Sequence, residues 1–175
     1  MIGLEVGGGE NPRKEDFEQL DIQPYKHINI VGSPWSIPRN KDYYDEIYSR
    51  HSFEHLTLQQ AKDTLKEYLR ILKPDGMLHL IMPNFEFCIK QLSMDGKSKF
   101  LQQYSQLKNI TNKEHAMSGI FGWQRNEYDL HKWGWTRESL EKELISAGFS
   151  NILFLDQIEC DLDVTADKIL ETKSK

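Results

Sequence analysis

A helix-period pattern followed directly by a buried-strand pattern is the feature of this sequence that most limits its fold. Apolar residues recur at three- and four-residue steps over residues 58–72, as they do on one face of an α-helix. Thr57 and Gln60 stand at the spacing of a capping box, and Pro74-Asp75-Gly76 ends the pattern. The next run, 77–82, is apolar at all but one position, which predicts a central strand. A helix followed by a buried strand is typical of a βαβ unit and a parallel sheet.

Shorter patterns on both sides extend this unit. Strand-like runs at 2–6, 19–22, 28–31, 46–49 and 152–155 are bounded by turn-forming residues. Thr136 starts a second amphipathic helix, which Gly148 ends, and residues 161–172 predict a last strand at the edge of the sheet. With no internal repeat or domain boundary, the sequence predicts one α/β domain over 1–175 with a mostly parallel sheet.

The segment between the two amphipathic helices is different in character. Residues 85–108 predict two helical pieces broken at Asp95-Gly96, and residues 109–135 predict an irregular, aromatic-rich stretch. Such aromatic residues often only pack a small core. Gly119 and Gly122 would permit movement, however, and we therefore expect 97–135 to act as a lid or substrate-binding segment.

Charge and composition exclude several classes of protein. The formal net charge is -5 with acidic and basic residues interspersed, which disfavours a nucleic-acid partner. Mean hydropathy is -0.63, and neither a membrane-spanning run nor a signal-peptide pattern is present. Cys88 and Cys160 lie far apart with no CxxC spacing, as expected of reduced thiols. We expect a cytoplasmic protein that does not bind membranes; its oligomeric state is open.

Ligands of open parallel sheets bind beyond the carboxyl ends of the strands. The first predicted strand ends at Gly7-Gly8-Gly9, where the backbone can approach a ligand closely, and the second ends near Asp21, whose carboxylate can accept two ribose hydroxyls. The third glycine of the dinucleotide fingerprint is missing, and no Walker loop occurs. The sequence therefore predicts a nucleoside-type ligand without a pyrophosphate cradle.

Five segments, in this order, resemble the class I S-adenosylmethionine-dependent methyltransferases over nearly the whole chain. They are Leu4-Glu5-Val6-Gly7-Gly8-Gly9, Asp21, Tyr48-Ser49-Arg50-His51-Ser52-Phe53-Glu54-His55-Leu56, Arg70-Ile71-Leu72-Lys73-Pro74-Asp75-Gly76-Met77-Leu78 and Ala147-Gly148-Phe149. The resemblance implies a Rossmann-like three-layer sandwich with a shortened first crossover. It also implies S-adenosylmethionine as the cofactor.

By position, the resemblance implies roles for ten cofactor-binding residues. Gly7, Gly8 and Gly9 would line the methionine part of the cofactor, with Glu5 hydrogen-bonding near the loop. Asp21 would hold the ribose and Ile22 would pack on the adenine. The adenine edge would meet Ser33 and Pro34, and the methionine end would meet His51 and Ser52.

Methyl transfer needs alignment of the acceptor and, for a hydroxyl or amine, removal of a proton. The catalytic candidates are Glu54, His55 and His131, with His51 and His115 as further bases. Glu54 and His55 could instead only organise the turn before the helix. We expect direct transfer to a small-molecule or glycan-like acceptor; the alternative is a non-catalytic binding module of the same fold.

A third hypothesis is a zinc hydrolase, because His51 to His55 match an H-x-x-E-H pattern. That motif requires a helix. Here it falls between a strand and the Thr57 cap and is therefore expected in a loop, so we expect no metal.

Overall fold

One sheet of seven strands forms the centre of the computed structural model, which describes residues 1–101, 106–155 and 158–169. The strands are β1 (Gly3–Val6), β2 (Glu18–Asp21), β3 (Ile30–Val31), β4 (Tyr44–Arg50), β5 (Leu72–Pro83), β6 (Ser150–Phe154) and β7 (Asp161–Asp167). Their order is β3-β2-β1-β4-β5-β7-β6. Strand β7 runs opposite to the other six strands. The predicted α/β fold with a mostly parallel sheet is confirmed.

Helices α1 (Leu58–Ile71) and α4 (Arg137–Ala147) pack against each other on one face of the sheet. Both belong to crossovers that run in the same direction along the sheet, and right-handed crossovers then place them on the same side. Leu65 and Leu140 from these helices share a buried core with Leu4, Ile47 and Leu80 of the strands. Both caps predicted from sequence form, with Thr57 accepting from the Gln60 N–H and Thr136 from the Ser139 N–H.

The first crossover, residues 7–17, contains no helix, as the resemblance implied, and residues 22–29 and 32–43 contain none either. Irregular chain, and not a helix, therefore covers the sheet's second face near β1 and β4. There the Lys14 ammonium lies 5.1 Å from the Phe17 ring centre and 5.4 Å from that of Tyr48, and 3.3 Å from Glu46. A short connection keeps the carboxyl ends of β1 and β2 open to a ligand.

Two strand expectations were wrong in detail. Strand β5 begins at Leu72, directly after α1, because Leu72 pairs with Tyr44 ahead of a bulge; Pro74-Asp75-Gly76 lies within the strand. Strand β7 is not at the edge but between β5 and β6. Its inward residues, Leu162, Val164 and Ala166, are buried, and an edge position would have left this apolar row less covered.

The helices between β5 and α4 also differ from expectation. Helix α2 (Phe85–Leu92) forms, but no second helix forms in 97–101 or 106–108, and residues 102–105 lie outside the described part. Helix α3 (Asn112–Phe121) lies instead within the stretch expected to be irregular. Its capping box, Thr111 with Glu114, was the missed sequence pattern. Within the described residues, no helix is long and apolar enough to cross a membrane.

Candidate functional site

A cavity of about 480 Å³ opens at the carboxyl ends of β1, β2 and β4; we call it the first cavity. Seven of the predicted cofactor-binding residues line it, namely Gly7, Gly9, Asp21, Ile22, Pro34, His51 and Ser52. The structure thus brings together residues from three strand ends, at the edge where open α/β sheets bind ligands.

The glycine turn is shaped by its neighbours as well as by its own freedom. Gly7 (φ +73°) and Gly9 (φ +60°) are both left-handed. The Gly7 N–H donates to the Leu20 carbonyl at 2.8 Å, and a β-carbon on Gly7 would overlap with the Ser52 side chain. Nothing lies within 4 Å of where a β-carbon on Gly9 would stand. Gly7 is therefore packed against protein, and Gly9 faces open space.

Asp21 is buried and fixed by two backbone groups. Its Oδ2 accepts the Gly9 N–H at 3.1 Å and its Oδ1 accepts the Gln23 N–H at 2.9 Å. A carboxylate has about four acceptor sites, so each oxygen keeps capacity for a further donor. The half-exposed Ile22 follows directly and offers an apolar wall. This arrangement fits a ribose diol beside a flat base.

Three predicted cofactor residues, Glu5, Gly8 and Ser33, are not in the cavity lining. Glu5 is buried, and its carboxylate accepts the backbone N–H groups of Arg13 and Lys14 at 2.8 to 3.0 Å. It fixes the connection that follows the glycine turn. The Ser33 carbonyl accepts from Ser36 in a tight turn.

A second cavity, of about 600 Å³, adjoins the first. The two share four residues, His51, His55, Arg125 and Asp129. The second cavity is lined largely by side chains from the expected lid segment and from α2, among them Phe87, Lys99, Phe100, His115 and Trp123. Five residues between 125 and 132 also line the first cavity, namely Arg125, Asn126, Tyr128, Asp129 and Lys132. The described part of 97–135 therefore borders both cavities.

A polar cluster lies where the cavities meet, and we define it as His51, Glu54, His55, His131 and Asp161. Glu54 is its buried member, and His51 is exposed. Glu54 Oε1 lies 3.5 Å from His51 Nδ1 and 3.9 Å from His131 Nε2. His51 Nε2 is 3.7 Å from Asp161 Oδ2, and the His55 and His131 rings meet edge to face at 4.9 Å. Three of these residues follow β4, and the other two come from distant parts of the chain.

Burial and charge act against each other in this cluster. Burial raises the pKa of Asp161 and lowers that of His131. Burial would also raise the pKa of Glu54, but the neighbouring imidazoles, His51 first, outweigh it and hold the pKa below the usual value. For His51, burial is likewise outweighed by Glu54 and Asp161, and its pKa is raised. The structure therefore favours a charged Glu54.

Backbone contacts bring His131 to Glu54. The Glu54 carbonyl accepts the N–H of Lys132 at 2.9 Å, and the His131 N–H donates to the Phe121 carbonyl at 3.3 Å. Gly122 allows the chain after α3 to fold back against residues 129–131, because a β-carbon at this position would overlap with the Asp129 carbonyl. The loop that carries His131 is thus fastened to the turn after β4.

Sequence reasoning missed several lining residues. Tyr25, Asn126 and Lys132 line the first cavity, and Asp161 lines the second. Trp35, the last residue of the Ser33-Pro34-Trp35 segment that the resemblance places at the adenine edge, was expected there and also lines the first cavity. Asp161 follows no predicted parallel strand, and no local pattern marks it.

Comparison with known proteins agrees with this fold. The family described as "Methyltransferase domain" matches residues 13–80. No curated protein sequence matches the chain.

Three solved structures illustrate the likeness in fold. A Thermotoga maritima protein described as a "possible histamine N-methyltransferase" has a TM-score of 0.59 at 15% identity, over 95% of this chain and 82% of its own. The Burkholderia thailandensis 1,6-didemethyltoxoflavin-N1-methyltransferase, with S-adenosylhomocysteine bound, has a TM-score of 0.62 at 12% identity, over 97% of this chain and 71% of its own. Human N-acetylserotonin methyltransferase, in complex with S-adenosylmethionine, has a TM-score of 0.60 at 13% identity, over 97% of this chain and 48% of its own. The sheet order, the family match over 13–80 and these likenesses agree, and the chain has the fold of the class I S-adenosylmethionine-dependent methyltransferases.

Proposed function

We propose that the protein binds S-adenosylmethionine in the first cavity and transfers its methyl group to a small-molecule or glycan-like acceptor in the second. The observation that carries this proposal is the junction of the two cavities at His51 and His55. A methyl group must pass directly between donor and acceptor, so adjoining cavities are what the reaction requires.

The lining of the first cavity supports the cofactor. Asp21, with its carboxylate already oriented by Gly9 and Gln23, would accept the ribose hydroxyls. Ile22 and Pro34 would contact the adenine, and the Gly7–Gly9 turn would lie along the methionine part. The two solved structures with S-adenosylhomocysteine and S-adenosylmethionine share this fold.

When bound, S-adenosylmethionine supplies a methyl group already activated by a sulfonium. The acceptor atom bonds to the methyl carbon as the sulfur–carbon bond breaks, and the electron pair of that bond returns to sulfur. The protein has to orient the acceptor, exclude water and promote loss of the acceptor's proton. Glu54, His55 and His131 are the residues we propose to contact the reacting end of the acceptor.

The second cavity indicates the kind of acceptor. Phe87, Phe100 and Trp123 contribute aromatic side chains to its lining. Cations and carboxylates both occur there, and Arg125 is paired with Asp129 at 2.7 Å. Aromatic walls suit a planar or sugar ring, and the mixed charge suits an acceptor with hydroxyl or other polar substituents.

Calorimetry with S-adenosylmethionine and S-adenosylhomocysteine tests the first half of the proposal, and we expect binding of one molecule per chain. Mass detection of S-adenosylhomocysteine, with pools of phenols, amines and sugars as acceptors, tests the second half. Absence of binding at millimolar cofactor in folded protein would overturn the proposal. Binding without turnover on any acceptor pool would favour the non-catalytic binding module instead.

A further inference from the structure

We infer that Glu54, His55 and His131 form a site for a divalent transition-metal cation, of which Zn²⁺ is the best match, with an open position toward the acceptor cavity. Each of the three residues places a ligand atom within 4.8 Å of those of the other two. Zinc bonds to nitrogen and carboxylate oxygen are about 2.0–2.2 Å long, which puts bound ligand atoms about 3–3.5 Å apart. Side-chain adjustments of about 1 Å or less would close the site around a cation.

The hydrogen bonds of the two histidines support this inference. His55 Nδ1 lies 3.0 Å from the Leu130 carbonyl oxygen, and His131 Nδ1 lies 2.9 Å from that of Gly119. A carbonyl oxygen can only accept, so both Nδ1 atoms carry the proton. A neutral ring in this tautomer has an unprotonated Nε2. Metal-binding histidines are oriented in this way, with the other ring nitrogen donating to a backbone carbonyl.

Glu54 provides an independent observation. Glu54 is only 3% exposed, and neither of its carboxylate oxygens has a hydrogen-bond partner among the described residues. His51 Nδ1, 3.5 Å from Oε1, compensates part of the charge, but a buried carboxylate that lacks short hydrogen bonds is still costly. His131 presents its Nε2 to Glu54 Oε1 at 3.9 Å, and an unprotonated nitrogen facing a carboxylate repels it. A cation between these two atoms would satisfy both.

The ligand types narrow the choice of metal. Two imidazoles and one carboxylate suit Zn²⁺ and neighbouring ions such as Mn²⁺ and Fe²⁺, whereas Mg²⁺ and Ca²⁺ prefer oxygen ligands. The expectation of no metal depended on the His51-x-x-Glu54-His55 motif requiring a helix. A site completed by His131, from a separate loop, does not have that requirement.

Three protein ligands leave a coordination position free, as in catalytic zinc sites. All three residues line the second cavity, and His55 also lines the first. The free position would hold a hydroxyl oxygen of the acceptor and lower its pKa, beside the cofactor. This last step depends on the proposed function. In it, the three residues act on the acceptor through the cation, and the hydroxyl proton passes to solvent water and not to any of the three ligands.

Titration of chelator-treated protein with Zn²⁺ alone, and separately with Mn²⁺, tests the site by calorimetry and by the melting temperature. We expect one Zn²⁺ per chain, a raised melting temperature, and at least tenfold weaker binding in Glu54→Gln and His131→Gln. The matched control is His115→Gln, because His115 lines the same cavity but bonds to Ser98 Oγ instead. This control should keep the affinity of the unmodified protein.

Cys88 and Cys160 also line the second cavity and could capture zinc. Cys160→Ser should therefore bind Zn²⁺ as tightly as the unmodified protein, and loss of binding in that variant would overturn the inference. So would unaltered affinity in both Glu54→Gln and His131→Gln. If either variant is unfolded, Zn K-edge absorption of the unmodified protein decides: nitrogen and oxygen neighbours alone support the site, and sulfur neighbours contradict it.

Cofactor binding in the presence of chelator separates this inference from the proposed function. Binding of S-adenosylmethionine without any uptake of Zn²⁺ would refute the metal site and leave the proposed function standing. Zinc uptake without cofactor binding would refute the proposed function and leave the metal site standing.

Discussion

The hydroxyl oxygen of Ser52 lies too close to the point where a β-carbon on Gly7 would stand for both atoms to fit. The sequence suggested one reason for a glycine at position 7, namely the close approach of a ligand to the backbone. The structure gives a second reason, because the turn after β1 packs directly on the Ser52 side chain. The two strand ends that border the first cavity therefore fit together only with glycine at this position.

Gly7→Ala should lower both stability and cofactor affinity, and Gly9→Ala provides the matched control. Both glycines have positive φ, which costs alanine about 1 kcal/mol, but only Gly7 also has a side chain in the way. We expect Gly7→Ala to unfold at a clearly lower urea concentration than Gly9→Ala. Equal urea midpoints for the two variants would show that the Ser52 side chain moves aside without lowering the free energy of unfolding.

Asp21→Ala should weaken S-adenosylmethionine binding by about 1–3 kcal/mol, the range for losing a hydrogen bond to a charged group. Asp16→Ala is the control, because Asp16 is exposed and outside the cavity. Calorimetry on both variants measures the difference. Asp21→Ala also removes the acceptor for the Gly9 N–H, so a melting curve without cofactor should accompany each titration. An unchanged affinity would contradict the ribose role.

Stability should fall in acid through Glu18, whose carboxylate accepts hydrogen bonds from Arg39 and Tyr44. Burial alone would raise the pKa of Glu18, but these donors outweigh it and hold the pKa below the usual 4.5. The unfolded chain therefore binds this proton more tightly. The stabilisation is complete above pH ~4.5 and is lost as pH falls through the lower pKa of the folded state.

Glu18→Gln should accordingly lose about 1–2 kcal/mol at neutral pH and show a shallower loss of stability below pH ~4.5. Urea unfolding from pH 3 to 7 measures both effects. The exposed Glu15, changed to Gln, is the control and should follow the unmodified protein. Parallel curves for Glu18→Gln and the unmodified protein would mean that other carboxylates control the acid transition.

Residues 108–135 should become protected from hydrogen exchange when cofactor and acceptor are both bound. The described parts of the lid segment line both cavities, so closure over bound ligands would shield them. Hydrogen exchange read by mass spectrometry measures this, with α1 as the internal reference. Protection limited to the Gly7–Gly9 turn and Asp21 would show that the segment is a fixed wall.

Gly122→Ala should disrupt the loop that carries His131, because a β-carbon would overlap with the Asp129 carbonyl. Gly96→Ala is the control, since Gly96 also has a positive φ but has nothing within 4 Å of the added carbon. We expect weakened cofactor-dependent turnover in Gly122→Ala at a small cost in melting temperature. Retained turnover would indicate that His131 is not needed at Glu54.

Local pattern in the sequence was enough for most of the fold. The three- and four-residue spacing and the Thr57 cap predicted α1, and the glycines after residue 6 marked the turn beside the first cavity. These features depend on contacts between near neighbours in the chain. The capping box of α3, Thr111 with Glu114, was of the same kind and could also have been recognised.

Tertiary packing decided the rest. The alternation in 161–167 indicates a strand, but only pairing with β5 and β6 places it inside the sheet. The sequence proposed Glu54, His55 and His131 as separate candidates, and it is the return of the chain at Gly122 that brings His131 to Glu54. Such long-range contacts depend on the balance of burial and chain entropy over the whole domain, and a local sequence pattern does not determine that balance.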